Sequence, residues 1–327
     1  MDDRSGQIKI SAIVPTYNRA YMVSDTLRSL KRQSLPQYLY EIIVVDNYVS
    51  SNTRDVVDQI NREGGKEILY VYEPHLGLHN ARHRGARVSR GEILAYTDDD
   101  AICDVNWLSA LLKEYQSDEI ACVGGKILPK WETPPPAWMR LFEPWTLSLL
   151  DYGDERLELA WPQNPFGCNF SIRKETLFKL GGFNPECVGN KWVGDGEAGL
   201  LRRLYGRKFK VVYAPDAVVW HIIHSEKASL SGMKLRLANC GAAHSCADYK
   251  INKYRPYKLL WRSGLFMMRY FKQYLSGIWN RFMKKDAFYL RECWKDYNKS
   301  RAIYELRLIF DNDLIKLVSR EDWINEK

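Results

Sequence analysis

A mostly parallel β-sheet flanked by helices, with a helical extension behind it, is the fold class this sequence predicts, and three observations lead there. Runs rich in Ile, Val, Leu and Tyr at residues 8–14, 41–46, 67–73 and 92–97 alternate with segments of helical spacing, such as Val23, Leu27 and Leu30, then Val56, Val57 and Ile60. Such a βαβ series closes a parallel sheet. Each run also ends in polar or acidic residues: Pro15, Thr16, Tyr17 and Asn18; Asp46 and Asn47; Glu73, Pro74 and His75; Asp98, Asp99 and Asp100. Ligands of parallel sheets bind beyond the carboxyl ends of the strands, so an ordered set of four polar ends predicts a site there.

The elements follow in order. The fourth run ends in three adjacent aspartates, whose like-charge repulsion calls for a cation. Alternation along an extended chain puts Asp98 and Asp100 on one side and Asp99 on the other, so two carboxylates can share Mg2+ or Mn2+ with open positions left for phosphate oxygens. The next helix, striped by Leu108, Leu111, Leu112 and Tyr115, has its own cap in Asp104, so the aspartates are not needed for capping. After Lys126 a Pro- and Trp-rich stretch, 131–138, reads as a loop. Order returns at 166–173, at Gly181, Gly182 and Phe183, and at Gly194, Asp195, Gly196 and Glu197 ahead of a helix through Leu200, Leu201 and Leu204. A strand at 210–213 then leads on to Val218, Val219, Trp220 and His221. From about Ser225 the chain reads as helical, which divides it into a site-bearing region, 1–224, and a basic helical region, 225–327.

Charge and cysteines narrow the class. Of the net charge of +8, residues 250–327 carry 18 Lys and Arg against 9 Asp and Glu, so +9 falls in the tail and about −1 before it. Seven dispersed cysteines without a CxxC pair suggest neither a disulfide framework nor a zinc site. No signal pattern opens the sequence and no run approaches 18 apolar residues, which gives the expectation of a cytoplasmic protein. In 265–285, Phe271, Tyr274, Leu275, Ile278, Trp279 and Phe282 recur at helical spacing among Arg269, Lys272, Arg281, Lys284 and Lys285. Such a helix either packs on the rest of the protein or makes peripheral contact with an anionic membrane. No nucleic-acid-binding signature accompanies the charge, and nucleic acid is not expected as a partner.

Residues 12–19, 42–46, 81–85, 91–93 running into 98–100, 104–108, 167–173, 181–183, 194–197 and the closing His221, in this order, resemble glycosyltransferase family 2, inverting enzymes of the Rossmann-like GT-A fold. The resemblance implies transfer from a nucleotide-diphosphate sugar, a UDP-sugar first among donors, to a hydroxyl of a saccharide or glycoconjugate, with Mn2+ or Mg2+ as cofactor. It places Pro15, Thr16, Tyr17, Asn18, Asp46, Arg82, Asp98, Asp99 and Asn169 around the donor, Asp98, Asp100 and His221 at the metal, and Trp192 against the acceptor. Glu197 or Asp195 would be the general base, with Glu197 at the family's usual position. Two departures stand out: His83 where the family has Asn, and Asp195, Gly196, Glu197 where it has a Glu-Asp pair. Several residues keep a second reading from sequence alone. Asp46 suits a turn, Arg82 and Arg84 a solvated basic face, Trp192 ordinary packing, and His224 is a weaker alternative to His221. A non-catalytic sugar-nucleotide-binding protein would keep Asp46 without needing the base. A nucleotidyltransferase would need a Gly-rich basic loop after Val14, which is absent.

Overall fold

A computed structural model describes residues 8–49, 52–188, 191–283 and 286–325. Lys284, Lys285 and the side chains of Arg281 and Phe282, all part of the basic tail pattern, lie outside the described residues.

The first half follows the predicted alternation. Strands β1 (Ile10–Thr16), β2 (Tyr40–Asp46), β3 (Ile68–Tyr72) and β4 (Ile93–Tyr96) alternate with helices α1 (Ala20–Lys31), α2 (Thr53–Arg62) and α3 (Leu78–Val88). They pair in parallel in the order β3-β2-β1-β4. The remaining strands complete a mixed sheet. They are β5 (Ala101–Cys103), β6 (Ile120–Trp131), β7 (Leu157–Leu159), β8 (Phe170–Arg173) and β11 (Lys210–Ile223); β9 (Cys187–Val188) and β10 (Lys191–Trp192) form a separate hairpin. The full order is β3-β2-β1-β4-β8-β6-β11-β5, with β7 on β11. β8 enters antiparallel between β4 and β6, so the parallel character belongs to the first block and to the β6–β11 pair.

Pleating sorts β1 onto two cores. Ile10, Ala12 and Val14 face a layer with Val23, Leu27 and Leu30 of α1 and Trp107 and Leu108 of α4 (Trp107–Glu114). Ile13 faces the other layer, with Ala81 and Ala86 of α3, Phe170, Phe183, and Leu200, Leu201 and Leu204 of α6 (Gly196–Gly206). Each of these fully buried Ile and Leu side chains contributes about 2 kcal/mol relative to exposure. Ahead of α4 the expected cap is not formed: Asp104 accepts from Asn106 N–H (2.9 Å) in a turn before the helix, and the N-cap is Asn106, which makes no side-chain capping bond. The stretch at 131–138 ends β6 and runs into a 3-10 turn, Ala137–Leu141. It packs on the helical region, where Trp138 stacks on Tyr289 at 4.7 Å.

A short helix, α5 (Lys174–Lys179), follows β8; beyond β11 come α7 (Leu230–Asn252), α8 (Pro256–Phe282), α9 (Ala287–Phe310) and α10 (Asn312–Ser319). Arg262 of α8 donates to Glu305 of α9 (2.9 and 2.8 Å) and to Asp248 of α7 (2.7 Å), a charged tie across three helices. The helical region does not stay apart from the sheet. Trp323 N–H donates to Gly181 O (2.8 Å), Arg87 donates to Ile324 O (2.7 Å), and Ile324 belongs to the second core.

Candidate active site

The carboxyl ends of β1, β2 and β4 and the first turn of α3 open onto a cleft of roughly 360 Å³. Its walls include Thr16, Tyr17, Asn47, Gly77, Asp98 and Lys227. Asn47 shapes one side: its amide donates to Glu73 O (2.7 Å) and His75 O (2.9 Å) and accepts from Gly77 N–H (2.8 Å). Gly77 holds φ +135°, a conformation that only glycine adopts without strain, and with Leu78 it brings the start of α3 to the cleft wall. Tyr17 packs edge-on against Tyr48 with centroids 5.2 Å apart, an aromatic wall at the β1 end.

The three aspartates each meet a different environment. Asp99 is buried and bound by the Thr16 hydroxyl (2.7 Å) and Arg19 (3.3 Å). Its burial, then repulsion from Asp100, pushes its carboxyl up to about 6. Asp100 faces His221 Nε2 (3.4 Å) and Lys227 Nζ (2.7 Å), with Arg19 at 3.6 Å. Burial alone would raise the Asp100 carboxyl, but the His221 contact and the Lys227 ammonium outweigh it and hold it below the usual carboxylate range. β11 pairs antiparallel with β5, matching His221 to Ala101, and this ladder sets His221 beside Asp100. His221 Nδ1 lies 3.1 Å from Leu147 O, a contact that orients the ring with Nε2 toward Asp100. The buried Asp100 carboxylate calls for a cation beside it. Lys227 Nζ, 3.4 Å from His221 Nε2, supplies one.

Of the three residues expected at the metal, Asp100 and His221 stand side by side. Asp98 turns to Arg82 (3.6 Å), because the chain leaves the strand at Tyr96 and the three carboxylates no longer alternate as they would in an extended backbone. Among the described residues, no three His, Cys, Asp or Glu side chains form a ready-made cage. Asp100 and His221 nonetheless fit a divalent ion as an open two-ligand site, since the imidazole is already oriented through its other nitrogen. His224 is turned away to Glu132 (3.2 Å).

Arg82 is buried rather than part of a solvated face. Its guanidinium reaches Asp98 and Glu197 (3.2 Å) and lies over the Phe183 ring at 5.1 Å. Glu197 also accepts from Gly167 N–H (3.3 Å). A Cβ at Gly167 would sit 2.3 Å from Arg82 Nη2, so this approach needs glycine. Burial alone would raise the Glu197 carboxyl; the Arg82 charge and the hydrogen bonds lower it overall. Asp195 differs: its buried carboxylate accepts from Asn184 (2.7 Å), Arg202 (2.6 Å) and Lys250 (3.3 Å).

Other expected site residues are placed elsewhere. Asn169 is fully buried, accepting from Trp107 Nε1 (2.9 Å) and donating to Lys126 O (3.0 Å) and Ala217 O (2.7 Å); with all its capacity used, it ties the sheet together and does not line the cleft. Trp192 lines a second cavity of about 430 Å³ with Lys234, Asp296 and Tyr304, away from the donor cleft. Asp46 is buried, accepting from Tyr48 N–H (3.1 Å) and the Tyr70 hydroxyl (3.0 Å), while its neighbour Asn47 forms the wall. Asn18 takes φ +52° in the turn after β1. His83 accepts from Phe183 N–H (2.8 Å) and stacks on the Phe183 ring, so the departure from Asn serves the loop at 181–183.

Residues 11–181, just over half of the chain, match the model of the glycosyl transferase family 2. The chain is a family 2 glycosyltransferase. Relatives of this glycosyltransferase include the glucosyl-dolichyl phosphate glucuronosyltransferase of Haloferax volcanii, 26% identical over 70% of this chain and 74% of that protein. The succinoglycan biosynthesis protein ExoM of Rhizobium meliloti is 27% identical over 71% and 72%. The fold of this glycosyltransferase is shared with the mannosyltransferase PcManGT of Pyrobaculum calidifontis, solved with GDP-Man and Mn2+, at a TM-score of 0.58 and 17% identity over 96% of this chain and 79% of that one. It is shared also with GalNAc-T7, solved with UDP, GalNAc and Mn2+, at a TM-score of 0.54 and 19% identity over 78% and 52%. Asn47 was read from sequence as part of a polar strand end; Arg19 and Lys227, which also line the cleft of this glycosyltransferase, and Tyr48, which packs on Tyr17, had escaped. Arg19 directly follows a polar strand end and was within reach; a lysine six residues beyond His221 carries no such signal.

Proposed function

We propose that this glycosyltransferase inverts the anomeric centre of a nucleotide-diphosphate sugar, with a UDP-sugar as donor, and transfers it to a hydroxyl of a saccharide or glycoconjugate. Arg82 carries this reading. One guanidinium joins Asp98 at the donor cleft to Glu197, which puts a carboxylate next to the space where a donor sugar would lie. Glu197 takes the proton of the acceptor hydroxyl as general base, and Asp195, saturated by three donors, keeps the loop ahead of α6 in place. Asp100 and His221 would hold Mn2+ or Mg2+, which supplies charge neutralisation of the leaving diphosphate. Tyr17 and Tyr48 offer a ring surface to the base, and Asn47 and the α3 N-terminus offer donors to the ribose and phosphates. The Mn2+ and nucleotides in both solved neighbours support the metal and the donor class. Peripheral membrane contact through the helical region completes the reading.

Calorimetry with UDP- and GDP-sugars, with Mn2+ and with EDTA, followed by NMR of the product's anomeric configuration, tests it. Expected are metal-dependent binding and an inverted product. A product of retained configuration overturns the mechanism; undiminished binding and turnover in EDTA overturn the metal.

A further inference from the structure

Helix α8 has two opposite faces, and only one of them is used inside the protein. The inner face carries Leu259, Ser263, Phe266 and Asn280, all buried, with Ser263 donating to Ala302 O of α9 (2.9 Å) and Arg301 of α9 lying over the Phe266 ring at 4.2 Å. Half a turn away, Tyr257, Trp261, Met268, Phe271, Leu275 and Trp279 form a stripe at spacings of three, four and seven residues, each between 56% and 71% exposed. At 1.5 Å per residue this helix is about 40 Å long, so the stripe far exceeds the scattered apolar residues of an ordinary surface. Its 27 residues include five Lys and Arg and no Asp or Glu. Lys258, Arg269 and Lys272 are exposed along the flank of the stripe.

This charge pattern selects the occupant. A second copy packed on the stripe would set one acid-free basic helix against another, leaving every flanking cation without a counterion. A membrane span is excluded for α8, since no helix among the described residues is long and apolar enough to cross a bilayer. Exposed Trp, Tyr, Phe, Leu and Met over one face with flanking Lys and Arg match a helix lying in the boundary of an anionic bilayer, its rings among the acyl chains and its cations at the headgroups. We propose that the outer face of α8 docks this glycosyltransferase on an anionic membrane surface, and that its acceptor is a saccharide carried on a lipid at that surface. The docking stands on α8 alone; the acceptor rests on the functional reading above.

The test uses the full chain and vesicles of phosphatidylcholine alone or mixed with phosphatidylglycerol, without nucleotide sugar. The protein is expected to float with the mixed vesicles, to be released by salt, and to bind phosphatidylcholine weakly. Trp261→Glu, Leu275→Glu and Trp279→Glu combined should lower partitioning by about 100-fold or more, because both apolar burial and charge complementarity are lost. Melting temperature and calorimetric UDP binding should not change, as these side chains touch neither core nor cleft. Lys258→Glu, Arg269→Glu and Lys272→Glu combined should abolish the preference for the mixed vesicles. Protein that stays in solution with both vesicle types, or binds both equally and without salt effect, overturns the docking; so does concentration-dependent dimerisation that the first variant abolishes. If docking holds while donor binds and no lipid-linked saccharide is glycosylated, the acceptor assignment falls and the surface stands.

Discussion

Glu197 and Asp195 are two residues apart and keep different company, which makes them separable by experiment. Glu197→Gln keeps the volume but cannot take a proton, so kcat should fall about 100-fold or more with donor affinity little changed. Asp195→Asn weakens contacts to Arg202 and Lys250, so it should lower the melting temperature more than kcat. Because Arg82 holds Glu197 below the ordinary glutamate value, the base stays ionised at neutral pH, and the acid limb of kcat/KM should lie below about 4.5. Abolition of turnover by Asp195→Asn alone would exchange the two roles. Lys227 makes a second case. Its ammonium neutralises Asp100 from the position a divalent ion would contest, so Lys227→Met should tighten binding of Mn2+ alone, read by the loss of the free-ion EPR signal. Weaker Mn2+ binding in that variant would count against the competition. The convergence on Asp100 and His221 was readable because strand ends collect polar residues; the fate of Asn169 was not, since its three partners, Trp107, Lys126 and Ala217, come from remote segments.

Elements reveal themselves in sequence as far as their burial is uniform. The strands β1, β2, β3 and β4 fell within two residues of expectation because their runs are rich in Ile, Val, Leu and Tyr, and β1, β2 and β4 are buried along their whole length. β5, three residues long, and β6, with two glycines and a proline, offered no such run, and Pro215 obscured the unity of the 14-residue β11. Helix α3 has a consequence of its own. One turn apart on it, His79 and His83 are buried and stand edge-to-face, 5.9 Å between ring centroids. Burial, and then the charge of Arg320, pushes His79 down to about 4, and burial drives His83 down further. The fold therefore favours the neutral rings, whereas the unfolded chain takes up protons once the pH drops through about 6.5. Stability should decline as pH falls from about 6.5 to 4, by about 3 kcal/mol for His79 alone, and His79→Leu should flatten that part of the slope. Urea denaturation at stepped pH measures it; a flat profile between these limits would refute the burial of the neutral pair.

Across the whole molecule, the sheet gives way to helices after Ile223, and the chain then returns to the sheet region at its far end. Trp323 and Ile324 pack against α3 and the loop at 181–183, and a Cβ at Gly182 would lie 2.8 Å from Ile324 Cβ and 2.4 Å from His83 Nε2. Nothing in a short Asp-Trp-Ile-Asn run announces such a role, because its partners lie about 140 and about 240 residues upstream. Ile324→Ala should cost about 3 kcal/mol, as expected when a fully buried aliphatic side chain leaves a cavity, and the loss should appear in chemical denaturation of the intact chain. An effect below about 0.5 kcal/mol, typical of surface substitutions, would show that this contact closes nothing.

The same contact orders events during synthesis. Ribosomes add about 5–20 residues per second, so Phe183 is made roughly 7–28 s before Ile324. Of the second core, Ile324 is the last member to be made, so until it arrives its place beside His83 and the Gly181–Gly182 turn is left for any passing hydrophobic segment, or a chaperone, to fill.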